Sequence, residues 1–180
     1  MECKYDKKCS LCDRVKTLSI FALIFLIIAL VLYITINNQS ANKDILVAIA
    51  TSEDNTGEGN VIINFGTNEI TEGTAISHTP GSNEILINED GIYQISYSLT
   101  GVDQGSGRFN FNSILLVNNV PINSTLNEGP VLSEDIVNNR YTLTATVILR
   151  LNSGDILQLG GLSLEDVVYP NARIDIEKIG

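Results

Sequence analysis

The chain has 180 residues, of which 44% are hydrophobic and 18% charged, with no tryptophan, one histidine and a net charge of −10. Residues 1–17 carry five of the eleven cationic side chains and three acids, so the remainder of the chain has a net charge of −12. An acidic surface repels nucleic acid, which argues against DNA or RNA binding. The length fits one domain plus an appendage.

An uncharged apolar run extends from Leu18 to Ile36. At about 1.5 Å per residue, its length matches the hydrocarbon core of a bilayer. A cleaved signal peptide is the alternative, but its apolar region is usually only about 7–15 residues long. Basic residues precede the run, which predicts a type II single-pass membrane protein with the amino terminus cytoplasmic and the carboxyl-terminal domain outside. We therefore expect a cytoplasmic basic tail (1–17), a transmembrane helix (18–36), a linker (37–43) and an exported domain (44–180).

All three cysteines, Cys3, Cys9 and Cys12, lie in the basic tail, and the last two have C-x-x-C spacing. Four interpretations stay open: half of a zinc site completed by a second chain, a redox pair, lipidation next to the membrane, or unmodified reduced thiols. The exported domain contains no cysteine. Its stability must therefore come from its core or from assembly, without disulfides.

The exported domain shows strand patterns and no helix signal of useful length. Ile45–Ala50 is apolar on both faces, which predicts a strand buried from both sides. Gly91–Leu99 alternates strictly, which predicts a half-buried strand with one apolar face: Tyr93, Ile95, Tyr97 and Leu99. The Asx-rich turn Asn88–Gly91 precedes it and ends in a glycine suited to positive φ.

Further strands and turns follow at short intervals. Arg108–Asn118 is predicted to be a strand, and Asn118-Asn119 a two-residue hairpin turn. Tyr141–Leu151 alternates most clearly, and two separate closing strands are expected at Ile156–Leu159 and Ala172–Ile179. About ten short strands joined by Gly/Asn turns predict an all-β fold, an antiparallel jelly-roll sandwich.

Three motifs of the exported domain resemble the C1q/TNF-like family. They are the strand Glu89–Tyr97, the segment Leu149–Leu159 and the closing strand Ala172–Gly180. The resemblance extends over most of residues 44–180 and rests on these three separated motifs, which occur in the family's order. The segments are most similar to the carboxyl-terminal domain of bacterial collagen-like exosporium glycoproteins, although here a membrane anchor replaces the usual Gly-X-Y stalk.

The resemblance implies a ten-stranded jelly roll that assembles as a compact homotrimer. Strands that are apolar on both faces agree with a trimer, because neighbouring subunits would bury the second face, although central strands covered by loops are an alternative. The candidate interface residues combine these strands with two tyrosines that suit either a core or an interface: Ile45, Val47, Ile49, Tyr93, Tyr97, Ile114 and Leu116.

The function expected from these features is that of a membrane-anchored, surface-exposed homotrimer with a structural or adhesive role on a bacterial cell or spore. The alternative is a lectin-like or TNF-like head whose loops capture a glycan or a protein ligand. The candidate loops are Asp54–Gly59, Val102–Gly107 and Leu126–Asp135.

No motif for nucleophilic, metal-dependent or phosphate chemistry is present, so we expect neither an enzyme nor a cofactor. Loop carboxylates are the oxygen ligands that calcium prefers, but their spacing matches no dedicated calcium loop. The expected metal content is therefore none, with solvated carboxylates as the preferred interpretation of five acids: Glu128, Glu134, Asp135, Glu165 and Asp166.

Overall fold

The computed structural model describes residues 21–34, 44–51, 55–103, 110–131 and 139–180. The chain divides into two compact units, Met1–Asn42 and Lys43–Gly180. In the first unit, residues 21–34 form an α-helix, α1, with exposed side chains. Among the described residues no helix is long and apolar enough to cross a membrane. The ends of the predicted span, the linker and the three cysteines lie outside the described residues.

The second unit is built almost entirely of antiparallel strands. Its described part contains eleven strands and one 3-10 turn, Asn123–Thr125. The strands are β1 (Ile45–Ala50), β2 (Thr56–Ile62), β3 (Thr67–Glu72), β4 (Ile76–His78), β5 (Ile85–Ile87), β6 (Gly91–Asp103), β7 (Asn112–Val117), β8 (Val120–Pro121), β9 (Asn127–Glu128), β10 (Arg140–Leu151) and β11 (Ile156–Lys178).

The long strand β11 joins two sheets. Its first part pairs with β7 on one side and with β5 and β2 on the other, and these strands form the second sheet. Its last part lies between β6 and β1 in the first sheet, whose strand order is β10-β6-β11-β1-β3. The pairing register shifts between Ser163 and Val167 and again between Val168 and Asn171. Bulges of this kind let one strand bend from one sheet into the other.

The core lies between the two sheets and follows the alternation of the strands. In β6 the predicted apolar face is confirmed, because all four of its residues are buried: Tyr93, Ile95, Tyr97 and Leu99. In β1 the core side consists of Leu46, Ala48 and Ala50. Successive side chains of a strand point to opposite faces, so the other β1 side chains face outward.

Two predicted turns have different outcomes. The hairpin turn Asn118-Asn119 is confirmed, since both residues have positive φ and Val117 pairs with Val120. Gly91 does not adopt positive φ. A glycine is needed here because a side chain would collide with neighbouring atoms. A Cβ atom at this position would lie 2.8 Å from the carbonyl oxygen of Gly180 and 2.8 Å from Cε of Lys178.

Two other expectations were wrong in detail. The two closing strands expected at Ile156–Leu159 and Ala172–Ile179 are parts of one bent strand, β11. The segment Glu69–Pro80, whose local pattern predicts a loop with at most one short strand, contains most of β3 and all of β4. β3 forms by pairing with β1, and β11 pairs along its length with strands distant in the chain; local composition does not encode such pairing.

Candidate functional site

The outward side of the first sheet, called the open face, is formed by β10, β6, β11, β1 and β3. Its strands lie side by side in a register that places Val47, Asp175 and Ser96 next to one another, with Thr146 beyond them. The next row along the strands is Ile49, Arg173, Ser98 and Thr144. The open face is therefore apolar along β1, charged along β11 and rich in hydroxyls along β6 and β10.

Arg173 occupies the centre of the open face and is held by two carboxylates of its own subunit. Its Nη1 atom lies 2.7 Å from Oε2 of Glu69, and its Nη2 atom lies 2.9 Å from Oδ1 of Asp175. Hydrogen bonds to Asp175 are the main reason that the pKa of Arg173 is raised above its ordinary value. The guanidinium is therefore a fixed cation in a set orientation.

Hydroxyl groups surround this ion pair. Ser96 and Thr146 are hydrogen-bonded through their hydroxyls at 2.9 Å, and Thr100 and Thr142 at 2.8 Å. A shallow concavity of about 450 Å³ lies at the centre. Its polar lining comprises Ser96, Ser98, Thr144, Thr146, Arg173 and Asp175.

Isoleucines flank the concavity at opposite sides of the sheet. Ile148 of β10 is 62% exposed and Ile70 of β3 is 43% exposed. Ile70 pairs with Val47, and Ile148 is opposite Gln94, so both lie on the outward side. The open face thus combines a polar centre with apolar margins.

The structure divides the seven predicted interface residues among three places. Ile45, Val47 and Ile49 lie on the outward side of β1, where Ile45 and Ile49 are half-buried and Val47, 4% exposed, is already buried. Tyr93 and Tyr97 lie in the core between the sheets of one subunit. Their hydroxyls donate to the carbonyl oxygens of Glu89 at 2.6 Å and Thr125 at 3.1 Å.

Ile114 and Leu116, the remaining two, lie on the outward side of the second sheet. They alternate with Leu115, which belongs to the core. Both are already buried, with 4% and 3% of their surface exposed, because they pack over Gly160 of the neighbouring strand. The structure therefore does not bring them together with the β1 residues.

The predicted ligand loops are only partly described. Residues 52–54, 104–109 and 132–138 lie outside the described residues, and with them Glu134 and Asp135. Glu128, Glu165 and Asp166 are exposed. In the described part of the chain, no group of three or more His, Cys, Asp or Glu residues is placed to hold a metal ion.

Sequence reasoning missed the charged centre of the open face. The polar positions of β6 and β10 were recognised from alternation, but Arg173 and Asp175 were assigned only to a terminal strand. Their alternation with Ile174 and Ile176, which are buried, is the available signal that they share an outward face. Only the pairing of β11 between β6 and β1 shows which residues lie beside them.

Comparison with known proteins identifies the fold. No protein-family model matches the chain, and no curated protein matches it. Among solved structures, three crystal structures of murine APRIL, at pH 8.0, 5.0 and 8.5, match with TM-scores of 0.51, 0.52 and 0.50. Each is 11% identical to this chain, covers 76% of it and is itself covered over 99–100% of its length.

These matches define a class of fold. APRIL is a TNF-family jelly roll, and the antiparallel sandwich described here is a jelly roll of the TNF/C1q-like type. At 11% identity the likeness concerns the fold alone. The nearer resemblance to exosporium glycoproteins, the homotrimer and the absence of enzymatic activity stay predictions.

Proposed function

We propose that this protein is a homotrimeric surface head, held on a membrane by residues 18–36, with a structural or adhesive role on a bacterial cell or spore. The open face carries the proposal. It presents the half-buried Ile45 and Ile49 of β1, the exposed side chains of Ile70 and Ile148, and a concave polar centre, all on one sheet. A partner subunit covering this surface would remove apolar area from water, which stabilises the assembly by about 25 cal/mol per Å² of buried apolar surface. The TNF/C1q-like fold supports self-association through such a face.

The molar mass of the full chain in detergent micelles tests the trimer. We expect light scattering, corrected for bound detergent, to give three copies that persist on dilution. Thr144→Arg places a bulky cation on the open face at an exposed strand position, so we expect the monomer to keep its fold. We expect this variant to be monomeric, because the cation would be desolvated beside Arg173 in the assembly.

The matched control is Asn64→Arg, which adds the same charge at an exposed position outside the open face. The control variant should remain trimeric. A wild-type chain that is monomeric at every concentration would contradict the trimer. A Thr144→Arg variant that remains trimeric would show that another surface forms the interface.

The orientation is tested by the cysteines, all of which precede residue 18. In intact cells, a membrane-impermeant maleimide should not label the chain until the membrane is permeabilised. Labelling of intact cells would contradict a cytoplasmic amino terminus. The same experiment with Asn152→Cys, an exposed turn position of the domain, should show immediate labelling.

A further inference from the structure

A groove crosses the outward side of the second sheet, on the opposite side of the sandwich from the open face. Its volume is about 280 Å³, near the lower end of the roughly 300–1,000 Å³ typical of small-molecule sites. Asparagine amides and leucine side chains dominate its lining: Asn60, Asn110, Asn112, Leu162 and Leu164, with Gly59 and Ser163. Among the residues that the structure describes, no charged side chain lines it.

The strand register produces a regular arrangement in this groove. Leu162 of β11 pairs with Asn60 of β2 on one side and with Asn112 of β7 on the other. Since neighbouring strands lie about 4.8 Å apart, the two asparagines flank the leucine at about 10 Å from each other. The row is thus an apolar floor with an amide group at each end.

The amides of the groove have hydrogen-bonding capacity to spare. Among the described residues, the side chains of Asn60 and Asn110 make no hydrogen bond. Asn112 uses only its Oδ1 atom, which accepts from the backbone N–H of Gly129 at 3.1 Å. The Nδ2 donor of Asn112 is therefore available to a ligand, which competes with water for this hydrogen bond.

Two further features leave the groove open. Gly160, two residues before Leu162 on β11, has no side chain to fill the groove. A Cβ atom there would lie 2.9 Å from Oδ1 of Asn60 and 3.2 Å from Cδ1 of Leu116. Gly59 has empty space where a side chain would stand. Leu164, which is 88% exposed, forms an apolar wall at one end.

We propose that this groove binds a neutral sugar residue of a glycan. A pyranose ring has an apolar C–H face, which suits the leucine floor, and hydroxyls around its rim, which suit amide groups that both donate and accept. One ring fits the volume of the groove. The site lies on the other sheet from the open face, so its existence does not depend on the homotrimer.

The surroundings select against anionic sugars. At one end of the groove, β11 inserts three residues, Leu164, Glu165 and Asp166, opposite the single residue Glu58 of β2. Thr56 donates to Asp166 at 3.5 Å, and the backbone N–H of Glu165 donates to the hydroxyl of Ser163 at 3.1 Å. Glu58, Glu165 and Asp166 are close in register to the lining residues Gly59 and Leu164, and their negative charge disfavours a sugar carboxylate or sulfate.

Saturation-transfer difference NMR on the full chain, in a detergent without a sugar headgroup, tests the proposal. The probes are the methyl glycosides of glucose, galactose, mannose and N-acetylglucosamine, with N-acetylneuraminic acid as the anionic comparison. We expect saturable transfer to the ring C–H protons of at least one neutral glycoside. Asn60→Ala and Leu164→Ser should each weaken its Kd about tenfold, as expected for one lost hydrogen bond or one lost apolar contact.

Both variants change exposed side chains, so the fold should be retained. Asn64→Ala removes another exposed asparagine that does not line the groove and should leave binding unchanged. The absence of transfer to all four neutral glycosides would overturn the proposal. Transfer as strong in Asn60→Ala and Leu164→Ser as in the wild-type chain would also overturn it. So would binding that is strongest for N-acetylneuraminic acid.

Discussion

Tyr141 and Phe111 make three contacts with each other, two hydrogen bonds and one ring stack. The hydroxyl of Tyr141 accepts from the backbone N–H of Phe111 at 2.6 Å and donates to its carbonyl oxygen at 2.9 Å. Their rings are stacked, with centroids 4.5 Å apart and planes inclined by 16°. Tyr141 belongs to the first sheet and Phe111 precedes β7 of the second, so this pair joins the two sheets near one end of the sandwich.

Tyr141→Phe should destabilise the domain although the stacked ring is kept. The variant leaves the N–H of Phe111 without the phenol oxygen, and an unsatisfied buried backbone group costs about 1–3 kcal/mol. Urea unfolding followed by circular dichroism measures this loss. Thr144→Val, a change at an exposed position of the same strand, should cost less, and an equal loss in both variants would contradict the role of the Tyr141 hydroxyl.

Gly161→Ala should also destabilise the domain, because Tyr169 packs directly on the glycine. An added Cβ atom would lie 2.5 Å from Cζ of Tyr169, whose ring is fully buried. Overpacking of this kind typically costs about 1–3 kcal/mol. Gly66→Ala is the matched control, since a Cβ atom there meets nothing within 4 Å. Equal unfolding midpoints for the two variants would show that the ring moves aside freely.

Alkaline pH should unfold the domain through its tyrosines. Burial raises the pKa of Tyr93, Tyr97, Tyr141 and Tyr169 above the ordinary value of 10.0. A raised folded pKa means that the neutral phenol is favoured in the folded state. The corresponding stability is complete below the unfolded pKa and is lost as the pH rises through the folded values. Phenolate absorbance should therefore increase together with the loss of β-sheet circular dichroism, and free titration of all six tyrosines in a folded chain would contradict this prediction.

Acidic pH acts on Asp155 with the opposite sign. The pKa of this carboxyl lies below its ordinary value of 3.8, mainly because it accepts from the backbone N–H of Asn152 and also from the side chain of Asn118. Its contribution to stability is present above the unfolded pKa and is lost as the pH falls through the lower, folded pKa. Asp155→Asn should therefore reduce the dependence of the unfolding free energy on pH in this range. If the pH dependence of the unfolding free energy is unchanged in this variant, other carboxyl groups must be responsible for it.

Local patterns were sufficient to predict several elements of the domain. The alternation of Gly91–Leu99 and Tyr141–Leu151 predicted β6 and β10, because a strand with one buried face needs apolar side chains at every second position. The pair Asn118-Asn119 was sufficient to predict the hairpin turn, since asparagine tolerates the positive φ that a two-residue hairpin requires. In these cases the chemistry that decides the structure lies within a few neighbouring residues.

The sequence by itself thus determined the all-β class, the strand faces and the family-like order of motifs. Tertiary structure alone decided which faces meet. Arg173 lies beside Ser98, and Leu162 lies between Asn60 and Asn112, because β11 pairs with strands far away in the chain. Tyr93 and Tyr97 suited either a core or an interface, and only the second sheet, packed over them, placed them in the core. Pairing and packing of distant strands depend on the whole chain, so no local window of sequence specifies the open face or the asparagine groove.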